Sequence, residues 1–486
     1  MRYPLFIAFI FLSDLFSAQV IKFENILGGT GYDLGYSVVQ VRDKGYILTG
    51  STTSFGGESS DVYILKTDSM GVIQWQKMIG GINIEQAFSV KETSDTGFVI
   101  AGYTNSFGIG GYDIYVIKAN KYGDTVWTKT YGGNDWDFGY SIEQAIDGGY
   151  IIAGGTYSYG KGNEDMYLIK TNSMGDTLWT KCFGGTNDDE AKSVKQTIDG
   201  GFIVTGYTKS FGEINGDFYT VKTNASGDTL WTKKLGLNGV DRANQIIPTT
   251  DGGYMLAGVS ENIAGGFNEA FIVKTNSTGD TIFTRRYGSP NDAAAYSVCQ
   301  ASDGGYAWVG KLKIGNNYRV YLYKIDPAGN WNFSYTLGVN GDNDGRWIEQ
   351  TNDGGFVVVG NSTGFNNGLG DIYLFKTDSA GVSSGTIINF ATTIQTFSVK
   401  TSNSLLVYPN PVTTGSCKLN LSTIGTSKFS GQVNIYSITG QFVLKKILID
   451  NIETEINTST LENGMYFMEV IAEDIRFTSK ICIQNN

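Results

Sequence analysis

Residues 147–198 read DGGYIIAGGTYSYGKGNEDMYLIKTNSMGDTLWTKCFGGTNDDEAKSVKQTI, and variants of this 52-residue unit fill most of the chain. The Asp-x-Gly that opens it recurs at Asp43, Asp95, Asp147, Asp199, Asp251, Asp303 and Asp353, at intervals of 52, 52, 52, 52, 52 and 50. A fixed period of this length is the mark of a repeat architecture. Within the unit, four short runs have β character. They are Tyr150–Gly154, Met166–Lys170, Thr177–Phe183 and Ser193–Thr197. Asp147-Gly148-Gly149 and Met174-Gly175-Asp176 lie between runs as hairpin turns, where glycine supplies positive φ without steric cost. The two middle runs are apolar at nearly every position, as strands covered on both faces require.

Four strands per unit with no helix between units point to a β-propeller. The count is seven blades. The Trp-bearing strand is present six times, at 73–79, 125–131, 177–183, 229–235, 281–287 and 331–337. After the last unit it is missing, and Val382-Ser383-Ser384-Gly385 stands in its place. A matching strand, Ile21–Leu27 followed by Gly28-Gly29, stands alone at the N-terminal side. Residues 20–27 are therefore expected to complete blade seven as its outer strand and to close the sheet edge.

The remainder divides by composition. Residues 1–18, MRYPLFIAFIFLSDLFSA, have the pattern of a secretory signal peptide with Arg2 and an eight-residue apolar run, and cleavage is expected between Ala18 and Gln19. The propeller is expected over 19–381, a Ser/Thr-rich linker over 382–404 and a separate domain over 405–486. That last part has alternating strands with short turns, which suggests a small β-sandwich. No segment is apolar and long enough to span a bilayer as a helix. The fold class expected is all-β: a seven-bladed propeller followed by a small sandwich.

The net charge of −11 disfavours nucleic acid, whose phosphates are held by clustered Lys and Arg. Histidine is absent from the 486 residues, which removes Ser-His and Cys-His nucleophiles and His-ligated zinc or haem. Carboxylate-pair chemistry remains open. Of the four cysteines, Cys417 shares strand parity with Leu419 and Leu421, whereas Cys482 has the opposite parity to Ile481 and Ile483, so buried free thiols are expected rather than a disulfide.

Three sets of repeated residues stand out. Trp75, Trp127, Trp179 and Trp231, with Phe283 and Phe333, are expected to pack between blades. Lys66, Lys118, Lys170, Lys222, Lys274, Lys324 and Lys376 end a strand and are expected to contact a neighbouring turn. An acidic residue follows each Gly-Gly in register: Asp33, Glu85, Asp137, Asp189 and Asp241, with Asp292 displaced by one and Asp342 and Asp344 flanking the last position. Two readings of this set stay open. The carboxylates accept backbone N–H groups and fix the loop, or they form a ring at one channel mouth that binds sugar hydroxyls or a hard cation such as Ca²⁺. No other cofactor is expected.

At Tyr408-Pro409-Asn410-Pro411 the chain resembles a known family. Residues 405–486 are similar to the C-terminal sorting domain (type A) of the type IX secretion system of Bacteroidetes. Gly440 and Gln441, the Leu-x-x-Gly-x-Tyr strand with Gly464 and Tyr466, and Lys480 in the final strand follow in the family's order. The resemblance implies handling by the type IX translocon and a sortase, with the product released or attached at the outer-membrane surface. The blades resemble uncharacterised bacterial propeller repeats that often accompany this domain. Gly175-Asp176-Thr177-Leu178-Trp179 is also similar to the Gly-x-x-x-Trp of quinoprotein blades, although the adjacent cysteines of such enzymes are lacking. The function expected is a non-enzymatic surface propeller that binds a glycan or protein. The alternative is a carbohydrate-active or quinoprotein-like enzyme working with carboxylates.

Overall fold

The computed structural model describes residues 20–391, apart from 57–58, 213–215, 339–340 and 365–368. In the C-terminal part it describes 406–408, 412–413, 415–420, 431–437, 442–448, 453–472 and 475–484. Contacts divide the chain into two units, Met1–Ala391 and Thr392–Asn486.

The first unit is a seven-bladed propeller. Six blades are four-stranded antiparallel sheets. Blade one, for example, is built from Asp33–Gln40, Tyr46–Thr52, Asp61–Thr67 and Ile73–Ile79, in that order from the axis outward. The first strand of each sheet touches the first strands of both neighbouring sheets, so these seven line the central channel. Burial follows position. The two middle strands of a blade are buried at almost every residue because neighbouring blades cover both faces, whereas outer strands such as Thr177–Phe183 alternate exposed and half-buried.

The blades are joined by one repeated contact. In six of the seven blades the outer-strand aromatic packs on an aromatic ring of the next. Trp75 meets Phe98, Trp127 meets Tyr150 and Trp179 meets Phe202, with ring centroids 6.0, 5.8 and 6.0 Å apart. The same aromatic also presses on a turn glycine with positive φ. At Gly227 (φ +80°) a Cβ would stand 2.8 Å from Trp179 Cζ3. The repeated lysines make the turn contact expected of them. Lys66 is buried and reaches Asp43 Oδ1 (3.1 Å), the Thr67 carbonyl (2.8 Å) and Gln74 Oε1 (3.0 Å), and Lys376 binds Asp353 in the same way. Three acceptors around one ammonium compensate its burial.

The closing strand behaves as expected. Phe23–Gly28 pairs antiparallel with Asp371–Thr377, in the register Phe23 opposite Lys376. Phe23 takes the place of the missing Trp, with its ring 5.7 Å from Tyr46 of blade one and against Gly71. Asn25 Nδ2 donates to the Gly71 carbonyl (2.9 Å). One expectation is corrected. The closing strand is not outermost, because Ile387–Ala391, from the stretch expected to be linker, pairs parallel to it as a fifth strand. Glu24 guides the chain back by accepting the Gly385 N–H (3.0 Å) and the Ser383 hydroxyl, while Tyr373 donates to its other oxygen (2.6 Å).

In the second unit, Leu406–Tyr408, Ser416–Asn420 and Glu453–Asn457 form one sheet, and Phe442–Leu448, Gly431–Ser437, Gly464–Ala472 and Ile475–Ile483 form another. Cys417, Leu419 and Ile456 of the first and Val433, Ile435, Met468, Val470, Ile481 and Ile483 of the second share one apolar cluster. All four cysteines are free, but only Cys417 is buried. Cys182 is exposed on an outer strand, against the expectation of burial, because outer strands have no blade beyond them.

Candidate functional site

The acidic residues singled out in the sequence do not line the channel mouth. Asp33, Glu85, Asp137, Asp189 and Asp241 are each 0% exposed. Each opens an inner strand and folds back onto its own loop. Asp33 Oδ2 accepts the Gly29 N–H (2.6 Å) and the Ser54 hydroxyl (2.5 Å), and its Oδ1 accepts the Thr52 hydroxyl (2.5 Å). Glu85, Asp137 and Asp189 repeat the scheme with Gly81, Gly133 and Gly185. Asp241 accepts the Leu237 N–H (2.6 Å). Blade six has Ala293 at this position. Asp292 lies beside it, half-buried, and accepts the Asn268 N–H (2.9 Å) and the Tyr318 hydroxyl (2.5 Å). Blade seven has Asn343 there. The ring is thus a set of loop anchors.

A second carboxylate, missed in the sequence, stands opposite each anchor. It opens the third strand of the preceding blade, five residues before the repeated lysine: Asp61, Asp113, Asp165, Asp217 and Asp371. Between the two lies the first glycine of the Gly-Gly. A methyl group on Gly132 would overlap Asp113 Oδ1 and come within 2.7 Å of Asp137 Oδ2, and Gly28 sits likewise between Asp371 and Asp33. Burial, reinforced by the opposed carboxylate, pushes Asp113 up to about 6, and Asp371 likewise. The 52-residue recurrence of this second Asp was a readable signal. Its pairing across a blade boundary was not.

The channel wall is made by a bulge in every inner strand, such as that between Gly35 and Ser37. The bulged residues are Tyr36, Phe88, Tyr140, Lys192, Asn244, Tyr296 and Arg346. They touch around the axis: Tyr36 to Phe88 at 4.8 Å, Phe88 to Tyr140 at 5.3 Å, Lys192 over Tyr140 at 3.5 Å, and Arg346 over Tyr296 at 4.6 Å. Serines just beyond the bulges stitch neighbours together, as where the Val194 N–H donates to Ser141 Oγ (3.2 Å). Blade seven has Trp347 in place of that serine, and Lys91 lies over its ring at 4.5 Å. Burial lowers Lys91 to about 8.

Two places depart from the sevenfold pattern with polar chemistry. At blades three and four, buried Glu164 meets buried Glu190. Burial and the Glu190 charge raise Glu164 to about 8, while Lys192 binds Glu190 (2.7 Å) and the Tyr157 hydroxyl donates to Glu164 (3.2 Å). No other blade has an acid at the Glu164 position, where Ser60, Tyr112, Gly216, Asn268, Tyr318 and Gly370 stand, so no repeat signal announces it. At blades six, seven and one, a pocket of about 310 Å³ is walled by Tyr32, Tyr36 and Tyr318 and carries Lys311, Asp342, Asp344, Arg346 and Asn361. Arg346 Nη2 binds Asp344 (2.6 Å) and Lys311 lies 4.1 Å over Tyr318. The Nε of Arg346 has no hydrogen-bond partner among the described residues.

Of the sorting-motif residues, Tyr408 ends the Leu406–Tyr408 strand, Gly464 opens its strand, the Tyr466 hydroxyl donates to the Glu462 carbonyl (3.0 Å), and Lys480 lies opposite Phe467. Pro409, Asn410, Pro411, Gly440 and Gln441, like Ala18 and Gln19, lie outside the described residues. Among the described residues no helix is long and apolar enough to cross a membrane, and no three Cys, Asp or Glu side chains converge as a metal centre.

These features define a seven-bladed β-propeller followed by a separate all-β tail. Residues 406–484 match the secretion system C-terminal sorting domain, a tail that implies export by the type IX secretion system of Bacteroidetes. The regulatory protein FlaEY of Caulobacter vibrioides is 24% identical over 202 residues, which is 36% of this chain; the match spans only 21% of that relative. Among solved structures, Sqt1 from Chaetomium thermophilum is 9% identical with a TM-score of 0.43, covering 75% of this chain and 85% of that one. The β-propeller domain of the Trilobed protease from Pyrococcus furiosus, described as having an open velcro topology, is 11% identical with a TM-score of 0.40, covering 72% and 97%.

Proposed function

We propose that the chain is an exported, non-enzymatic binding propeller whose ligand is polyhydroxylated, a surface glycan, and seats in the pocket at blades six, seven and one. The observation that carries this reading is the chemistry of that pocket. Tyrosine faces suit the apolar C–H faces of a sugar ring. Asp344, Asn361 and Arg346 form a hydrogen-bonded row able to pair with vicinal hydroxyls. The volume, about 310 Å³, is at the small end of ligand sites. Delivery to the outside, released or held at the outer-membrane surface, follows from the translocon and sortase that such a tail engages. The test is a glycan array with the full chain and its Arg346→Ala and Tyr36→Ala variants. Binding lost in both variants supports the reading, and binding retained in both refutes it.

A second reading is favoured by the Glu164–Glu190 pair. A carboxyl whose pKa is raised by burial and by a neighbouring acid that is paired with a lysine has the arrangement of a general acid. Hydrolysis of a glycan substrate that Glu164→Gln abolishes would replace the binding reading with an enzymatic one.

A further inference from the structure

We propose that the Asp33–Asp371 pair at the closing seam seats a hard divalent cation of the Ca²⁺ type, tying blade seven to blade one. Asp371 is 0% exposed, and neither of its carboxylate oxygens has a hydrogen-bond partner among the described residues. It points at the face of Gly28, where a methyl group would overlap Asp371 Oδ1 and stand 2.9 Å from Asp33 Oδ2. Two carboxylates thus converge on one side of the closing strand, at its last residue, out of water. Burying a carboxylate without a partner is costly, and burying two together more so.

The other boundaries show how this charge is normally met. Between blades four and five, Lys234 Nζ lies 3.6 Å from Asp217. Between five and six, Arg286 binds Glu269 (3.1 Å) and Ala293 replaces the second acid. Between six and seven, Arg319 stands at the first position and Asn343 at the second. Positive charge or neutral side chains therefore relieve three of the seven boundaries. Between two and three, and between three and four, no Lys or Arg among the described residues lies within 4 Å, but Asp113 accepts the Ile109 N–H (2.8 Å), and Asp165 accepts those of Lys161 (2.7 Å) and Gly162 (2.8 Å). Among the described residues Asp371 has neither a cation nor a donor. Asp371 offers two oxygens without a partner among the described residues, which a hard cation takes in one- or two-oxygen modes, completing its shell with carbonyls and water, while Asp33, whose oxygens are held by Gly29, Thr52 and Ser54, adds negative charge beside them.

The experiment uses the full chain stripped with EDTA, titrated with CaCl₂ at pH 7.5 by calorimetry and followed in parallel by thermal unfolding, with MgCl₂ as comparison. Ca²⁺ is expected to raise the melting temperature of the wild type by several degrees. Asp371→Asn should remove one site from the stoichiometry and shrink that rise, while its metal-free melting temperature equals or exceeds that of metal-free wild type. Unchanged stoichiometry in Asp371→Asn overturns the proposal. So does a wild type whose melting temperature ignores Ca²⁺. Both outcomes are independent of whether a glycan binds at the pocket.

Discussion

Two glycines of blade four separate backbone strain from inter-blade packing. Gly200 and Gly227 have the same left-handed conformation, φ +79° and +80°. A Cβ on Gly200 meets nothing within 4 Å, whereas one on Gly227 would stand 2.8 and 2.9 Å from Trp179 Cζ3 and Cη2 and 3.0 Å from Lys181 Cγ. Alanine at Gly200 bears the left-handed cost of about 1–2 kcal/mol, reduced by the smaller entropy of its unfolded chain, for a net of about 1 kcal/mol. Alanine at Gly227 bears the same cost plus overpacking of about 1–3 kcal/mol, since carbon contacts settle near 3.5–4.0 Å. A propeller of this size unfolds with an entropy of roughly 0.8 kcal/mol/K, so each kcal/mol moves the melting temperature by about 1.3 °C. Gly200→Ala should therefore lower it by about 1 °C and Gly227→Ala by about 3–5 °C, read by scanning calorimetry at one fixed rate. In a Trp179→Ala background the excess at Gly227 should vanish. Equal shifts for the two glycines, or an excess that survives loss of Trp179, would refute the claim that the aromatic–glycine contact holds the blades together.

Two further outcomes are expected. Deleting residues 20–28 strips the partner from the fully buried Asp371–Thr377 strand and leaves 387–391 without its neighbour, so size-exclusion chromatography should show aggregates, and a monomer with wild-type melting would contradict the closure. Asp113 has a folded-state pKa near 6 against an ordinary 3.8, so the native state binds its proton more tightly, and this contribution is present below pH 4 and lost as pH rises through 6. Asp113→Asn should then stabilise by about 1–2 kcal/mol at pH 7.5, the shift discounted for solvent screening, and by almost nothing at pH 4, measured by urea midpoints, and a gain of equal size at both pH values would show that Asp137 and burial are not the cause.

Much of the propeller was legible because a 52-residue period, a missing outer strand and an orphan strand at 21–27 are all properties of the string. So were the roles of Lys170, which recurs in all seven units, and of Trp179, whose place is taken by Trp or Phe in the others, as suits contacts that every blade must make. What was not legible was depth. Asp137 follows a loop and precedes an inner strand, which left both a loop anchor and a channel-mouth group open. Whether its side chain turns to the axis or folds back onto Gly133 depends on backbone geometry that the period does not encode. The bulge that turns Tyr140 into the channel is equally silent, since one extra residue in a strand leaves no compositional mark. The strand 387–391 was missed for a related reason, because it pairs with a segment more than 350 residues away and lacks the repeat's own pattern.

Symmetry and saturation together say where function is to be sought. A residue repeated in all blades sits seven times in the same surroundings, and in this chain those surroundings are already full. Lys170 has Asp147 and the Thr171 carbonyl, and Asp189 has Gly185, Thr208 and Ser210. Such groups have no capacity left for a ligand. The groups with capacity left are those whose register partners differ. The Arg346 Nε lacks an acceptor where other blades place Tyr, Phe, Lys or Asn. Glu164 is held protonated where other blades place Ser, Tyr, Gly or Asn. Among the described residues Asp371 has no donor of the kind that Asp113 and Asp165 possess. Each is costly as it stands, and a cost retained at a single blade of a repeated fold is better explained by a ligand than by folding. A glycan in the pocket and a cation at the seam would each relieve one such cost, and the two fail separately, because one depends on Arg346 at the channel and the other on Asp371 behind the closing strand.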